Sequence, residues 1–185
     1  MRAFVSFILR SVLVIGAIAM VAIGGILAYA ATMPDVFRVQ RTIAIKAPPE
    51  KIFALIGDFR QWGPWSPYER KDPAMKRTFS ASTSGRGATY EWDGNGEVGS
   101  GRITITESSP PFLVRLDLDM IKPFEAHNIV EFTIEPTGDT TRVSWMMNGA
   151  VPYPAKIVHV FFDVDTMVGK DFESGLASLK AEAEK

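Results

Sequence analysis

Apolar and polar positions divide the chain into one long apolar run, a series of short alternating stretches, and a closing stretch with a period of three to four residues. Val12 to Ala31 carries no charge, and twenty such residues are enough to cross a bilayer as a helix. Phe37 to Lys46 then alternates. Phe37, Val39, Ile43 and Ile45 point one way and Arg38, Gln40, Thr42 and Lys46 the other, which is the pattern of a half-buried strand. Arg41 breaks the apolar side and is expected where that face reaches solvent. Ala47-Pro48-Pro49-Glu50 opens a short helix, because proline suits the first turn and an acidic residue suits the positive N-terminal end. Gly63-Pro64-Trp65-Ser66-Pro67-Tyr68 is expected to be irregular, since its two prolines interrupt backbone pairing.

From Met75 onward the pattern is strands and turns. Met75 to Ser80 is a short strand. Ala88, Tyr90 and Trp92 alternate with Thr89, Glu91 and Asp93, and Asp93-Gly94-Asn95-Gly96 is a hairpin signal. Strands follow over Gly101 to Glu107 and Leu113 to Ile121. In the latter, Val114, Leu116, Leu118 and Met120 oppose Arg115, Asp117 and Asp119. Asn128, Val130, Phe132 and Ile134 mark the next strand, and Val143, Trp145 and Met147 the last. Ile157, Phe161, Val164, Val168, Phe172, Gly175 and Leu179 then recur at helical spacing. One helix from Pro154 to Lys180 would be roughly 40 Å long. Its first half is apolar nearly all round, as in a helix that is buried on several sides or faces something other than water. Gly169 is a candidate kink. Six or seven antiparallel strands must twist and curl, and their apolar face needs this helix as cover, so the pattern predicts an α+β fold.

The first run sets the expected organisation: residues 1–11 cytoplasmic, 12–31 a transmembrane anchor, 32–36 a linker and 37–183 the folded domain. Arg2 and Arg10 precede the run and favour a cytoplasmic N-terminus. The domain is then expected outside the cytoplasm, on the periplasmic side in a Gram-negative cell. The alternative is a secreted domain after signal cleavage near Ala30, since Ala28-Tyr29-Ala30 has the small-x-small form of a cleavage site.

Composition narrows the chemistry. The chain has no cysteine, which removes disulfides, thiol nucleophiles and thiolate metal sites. A net charge of -1 gives no reason to expect nucleic acid. The two histidines, His127 and His159, stand apart without metal-ligand spacing, and no metal or other cofactor is expected. Asp117 and Asp119 share a strand face with carboxylates about 7 Å apart, but alternation puts both on the solvated side. The glycines Gly94, Gly96, Gly99 and Gly101 precede no helix, so they read as hairpin residues and not as a phosphate loop.

Several motifs resemble one superfamily. They are Ile43-x-Ile45-x-Ala47-Pro48-Pro49-Glu50-x-Ile52-Phe53, Asp58-Phe59-x-x-Trp62 through Trp65-Ser66-Pro67, Gly87-Ala88-x-Tyr90-x-Trp92, and Asp171-Phe172-Glu173-x-Gly175-Leu176-x-x-Leu179-Lys180. Together with the element order they are similar to the SRPBCC superfamily of START-like and birch-pollen-allergen-like proteins, in its polyketide cyclase/dehydrase-like branch. That resemblance covers roughly Phe37 to Lys180. It implies a helix-grip fold, a curved sheet around a long C-terminal helix, with a mainly apolar cavity between them. Candidate cavity residues are Trp65, Phe79, Tyr90, Trp92, Leu116, Leu118, Phe132, Trp145, Phe161, Val164, Met167 and Val168, with Tyr90 and two indole N–H groups free to orient a ligand's polar end. The same side chains suit an ordinary packed core. The implied function is a membrane-anchored domain that binds a hydrophobic small molecule or lipid. The alternatives are a cyclase/dehydrase-type enzyme acting on such a ligand and a protein-interaction module with a filled core.

Overall fold

Alternation becomes sheet along nearly every predicted stretch. A computed structural model describes residues 2–185, with side chains described from residue 13 onward. The topology argument from Arg2 and Arg10 therefore lies outside the described side chains. In chain order the elements begin with α1 (Arg2–Thr32), β1 (Val36–Ile45), α2 (Pro49–Ile56), a 3-10 turn at Phe59–Gln61 and α3 (Pro67–Lys71). The meander follows: β2 (Lys76–Phe79), β3 (Thr89–Asp93), β4 (Ser100–Ser109), β5 (Leu113–Lys122), β6 (Ala126–Thr137) and β7 (Thr140–Ala150). The chain closes with α4 (Tyr153–His159) and α5 (Val164–Ala183). It divides into two compact units, Met1–Asp35 with Val151–Asp163, and Val36–Ala150 with Val164–Lys185.

The second unit is α+β. Its seven strands form one antiparallel sheet in the order β1-β7-β6-β5-β4-β3-β2. Alternate residues of each strand face inward, so Val114, Leu116, Phe132, Ile134 and Val143 are buried on one surface of the sheet. Ile52 and Ile56 of α2 and the ring of Trp65 are buried in the same core, Trp65 edge-on to Phe132 with centroids 6.0 Å apart. Burying side chains of this size contributes about 1.5–3 kcal/mol each. Pro67 is not part of an irregular loop, as the sequence led us to expect. It stands at the first position of α3, where the missing N–H costs nothing.

α5 lays Phe172, Leu176, Leu179 and Ala183 on the core. Two glycines allow this approach. A Cβ on Gly175 would lie 2.7 Å from Trp145 Cζ3 and 2.9 Å from Pro67 Cδ. A Cβ on Gly169 would lie 1.9 Å from Arg41 Nη2, so this glycine makes room for a guanidinium. Arg41 stands where the apolar face reaches solvent, its side chain 24% exposed. It folds back onto α5, donating from Nε to Glu173 Oε1 at 2.7 Å and from Nη2 to the Asp165 carboxylate and carbonyl, each at 3.0 Å. Those hydrogen bonds hold its pKa above the ordinary arginine value. An inward-pointing charge on edge strand β1 also discourages pairing with another sheet.

The single helix expected from Pro154 to Lys180 is two helices. Phe161 N and Phe162 N both donate to Val158 O, which tightens the end of α4. Asp163 stands just before the first residue of α5, the position where an acidic residue favours a helix start. The apolar spacing runs straight through this break, so periodicity alone does not reveal it.

In the first unit, Leu13–Thr32 is long and apolar enough to cross a membrane, with a mean hydropathy of 2.4; a signal sequence has the same character. α4 is fastened to its end. Tyr153 Oη donates to Leu27 O at 2.9 Å, Lys156 Nζ pairs with Asp35 Oδ1 at 2.6 Å, and Val151 N donates to Asp35 O at 2.7 Å.

Candidate functional site

Inner-face alternation carries on past the point where α2 and Trp65 fill the space, and there the core opens. A cavity of about 240 Å³ lies against the sheet. Tyr90 and Trp92 of β3, Ile103 of β4, Leu118 and Met120 of β5, Asn128 and Val130 of β6, and Trp145 and Met147 of β7 form its sheet side. Phe172 of α5 covers it. Trp62, Ser66 and Tyr68 close one side, and Glu97 and Val98 stand in the β3–β4 loop. The lining is mostly apolar, as in small-molecule sites generally.

Several polar groups around it are committed to protein partners. Tyr90 Oη donates to Glu69 Oε1 at 2.6 Å, and Glu69 Oε2 accepts from Arg77 Nε at 2.7 Å. Burial, with Glu69 beside it, raises the Tyr90 pKa above the usual phenol value. Burial also pushes the Tyr68 phenol up, and the Asp171 carboxylate adds to this. Three of the four indoles donate to backbone carbonyls: Trp62 to Ile56 O at 2.8 Å, Trp65 to Leu55 O at 3.0 Å and Trp92 to Val98 O at 3.0 Å. The fourth does not. Trp145 Nε1 is buried and has no hydrogen-bond partner among the described residues. Its ring is fixed by stacking on Phe172, with centroids 4.0 Å apart and planes 9° from parallel. A buried, unsatisfied N–H is rare and costs about 1–3 kcal/mol. Asn128, also on the cavity wall, is 7% exposed.

His127 and the main charge clusters lie elsewhere. His127 Nδ1 is 2.6 Å from Asp119 Oδ1 on the outer face of the sheet. A depression of about 480 Å³ on that face is lined by Lys76, Glu91, Asp93, Arg102, Asp119 and Lys122, among other residues. Its charges largely neutralise one another through Arg102–Glu91 and Lys122–Asp93 pairs. Among the described residues, no group of three or more histidine, cysteine or acidic side chains is placed to hold a metal ion.

A family model for polyketide cyclase / dehydrase and lipid transport matches residues 36–184. The chain belongs to that family. Solved structures share the fold at low identity. Ginseng major latex-like protein 151 from Panax ginseng is similar with a TM-score of 0.58 at 10% identity, over 82% of this chain and 100% of that one. The Aha1 dimer from Colwellia psychrerythraea gives 0.58 at 20% identity, over 80% and 96%. A protein from Chromobacterium violaceum gives 0.57 at 16%, over 83% and 99%. No curated protein matches the chain. The likenesses fit the SRPBCC resemblance of the sequence motifs.

Within this family fold the twelve candidate residues separate. Tyr90, Trp92, Leu118 and Trp145 line the cavity. Trp65, Leu116 and Phe132 are fully buried in the closed part of the core. Phe79 is stacked on Tyr90 with centroids 5.0 Å apart and is not a lining residue. Val164 and Val168 pack against the core from α5 without lining the cavity. Met167 is exposed, and Phe161 is exposed in the other unit. Among the candidate residues that carry such donors, Tyr90, Trp65 and Trp92 donate to protein partners, and Trp145 has none among the described residues. Sequence reasoning missed Trp62, Ser66 and Tyr68, whose loop shows no period. It also missed Met120, Asn128, Val130 and Met147, whose inward positions alternation did reveal.

Proposed function

We propose that this chain is a membrane-anchored member of the family that binds a small, mainly apolar molecule carrying one hydrogen-bond acceptor. The observation that carries this reading is a mostly apolar cavity lined in part by the ring of Trp145, whose buried N–H has no hydrogen-bond partner among the described residues. A carbonyl or ether oxygen there would satisfy the donor, and the hydrocarbon remainder would meet Leu118, Met120, Val130 and Met147. The cavity is smaller than the roughly 300–1,000 Å³ usual for drug-sized ligands. It suits a compact ring system or part of one acyl chain better than a whole two-chain lipid. α1 is the membrane span, and the binding domain lies outside the cytoplasm.

An enzyme acting on the same molecule is the second reading. The pair nearest to an acid and base at the cavity is Tyr90 with Glu69. The raised Tyr90 pKa makes it a poor acid, and Arg77 already holds the carboxylate. Both features favour binding over turnover.

The test compares two ligands of equal length, an alkyl ketone and the matching hydrocarbon, on the detergent-solubilised full chain. The ketone should bind about fivefold to tenfold tighter, the worth of one net hydrogen bond. Trp145→Phe, which keeps a ring to stack on Phe172, should erase that preference. Equal affinity of the wild-type chain for both ligands would defeat the reading.

A further inference from the structure

The first unit leaves an apolar stripe uncovered. Tyr153, Val158, Phe161 and Phe162 are exposed, the two phenylalanines by 63% and 54%. Ile157 lies in the same sequence with half-buried character. Ile157 and Phe161, and Val158 and Phe162, stand four residues apart, so they follow one another along α4 and its closing turn, with Tyr153 one turn before Ile157. Lys156, which falls between them, turns the other way and is buried with its ammonium on Asp35. That pairing neutralises a charge that would otherwise be costly at a low-dielectric boundary.

The position of the stripe along α1 identifies its occupant. Tyr153 Oη is bonded to the carbonyl of Leu27, five residues before the end of the apolar run at Thr32. Five residues are about 7–8 Å of helix. Where α1 crosses a bilayer, the end of the run marks the boundary between acyl chains and headgroups, and that distance inside it is within the roughly 5–10 Å to which interfacial helices bury their apolar face. An aromatic stripe fastened at this depth meets lipid. Tyr29, exposed on α1 near the same end, and Tyr153 are the residue type found at that boundary.

We infer that Tyr153–Phe162 is an interfacial anchor, an apolar stripe that lies in the outer surface of the same membrane α1 spans. It rests on the reading of α1 as a span. The stripe buries its aromatic side chains in the acyl–headgroup zone, as interfacial helices do. It accounts for the apolar character of a segment that contributes nothing to the cavity. It also holds the chain between β7 and α5 at the bilayer, so the membrane grips the molecule through two separate stretches of sequence.

The absence of cysteine makes the test clean. Single cysteines are introduced into the full chain as Val21→Cys in α1, Phe162→Cys in the stripe and Asp139→Cys in the β6–β7 turn. Each is labelled with the fluorophore NBD and reconstituted into phosphatidylcholine–phosphatidylglycerol vesicles. Phe161→Cys repeats the stripe measurement with the neighbouring ring intact. Lipids carrying a nitroxide at shallow or deep positions report depth. The Phe162 and Phe161 labels should be blue-shifted and quenched several-fold more by the shallow nitroxide than by the deep one. The Val21 label should show the reverse, and the Asp139 label should be quenched by neither. Val21 quenched with both stripe labels matching Asp139 would overturn the inference and leave the span standing. A blue-shifted stripe label that neither nitroxide reaches would also overturn it, since a protein surface would then be the cover. An unquenched Val21 label would remove the span and the inference together.

Discussion

Gly175 lets α5 lie on the ring of Trp145, and that contact sets one wall of the cavity. In an open helix, glycine to alanine gains about 1 kcal/mol. Here the new methyl would meet Trp145 Cζ3 at 2.7 Å and Pro67 Cδ at 2.9 Å, both parts of rigid rings in the core. Gly175→Ala should therefore lower stability by about 1–3 kcal/mol, read as a lower urea midpoint. It should also weaken ligand binding, because Trp145 yields toward the cavity. A midpoint at or above that of the parent would contradict this contact. The sequence placed Gly175 on the buried stripe, but a missing side chain gives no sign of what opposes it. Leu116 and Leu118 show the same limit. Both face inward on β5, yet Leu116 is packed and Leu118 lines the cavity. Alternation gives the face of a strand and not the depth of what lies over it. The orphan N–H of Trp145 is invisible for a related reason, since four tryptophans look alike until their carbonyl partners are known.

At the scale of elements, β5 and β6 are joined on their outer face where Asp119 stands opposite His127. The hydrogen bond to Asp119 holds His127 above its ordinary pKa of 6.5, and the negative charges of Asp119 and Asp117 act in the same direction. A raised folded-state pKa means the pair stabilises fully below pH 6.5 and loses that contribution as pH rises through the higher folded value. The urea midpoint of the parent should thus fall slightly between pH 6 and pH 8.5 relative to His127→Gln, the effect being small because the pair is exposed. A difference that grows with pH would contradict the assignment. The strands themselves were legible, because one solvated face makes the period of two plain. The break between α4 and α5 was not. Ile157, Phe161 and Val164 keep helical spacing across it although they belong to different units. The excess of apolar residues before Asp163 was the one visible sign that the two halves of this stretch differ.

The whole molecule combines an α+β unit with a cavity and a second unit built on a long apolar helix. The order of elements and the family were readable from the sequence, and the cavity was expected, but its position and its free donor came from the structure. We propose that the cavity between sheet and α5 holds an apolar molecule. Native mass spectrometry of the full chain, solubilised in detergent, tests this directly when two tryptophan variants are compared. Leu118→Trp places bulk inside the cavity, and Val168→Trp places the same bulk on α5 outside it. A bound small molecule is expected on the parent, its loss from Leu118→Trp, and its retention on folded Val168→Trp. The same adduct at the same occupancy on parent and Leu118→Trp would place the ligand elsewhere and rule out this cavity as its site.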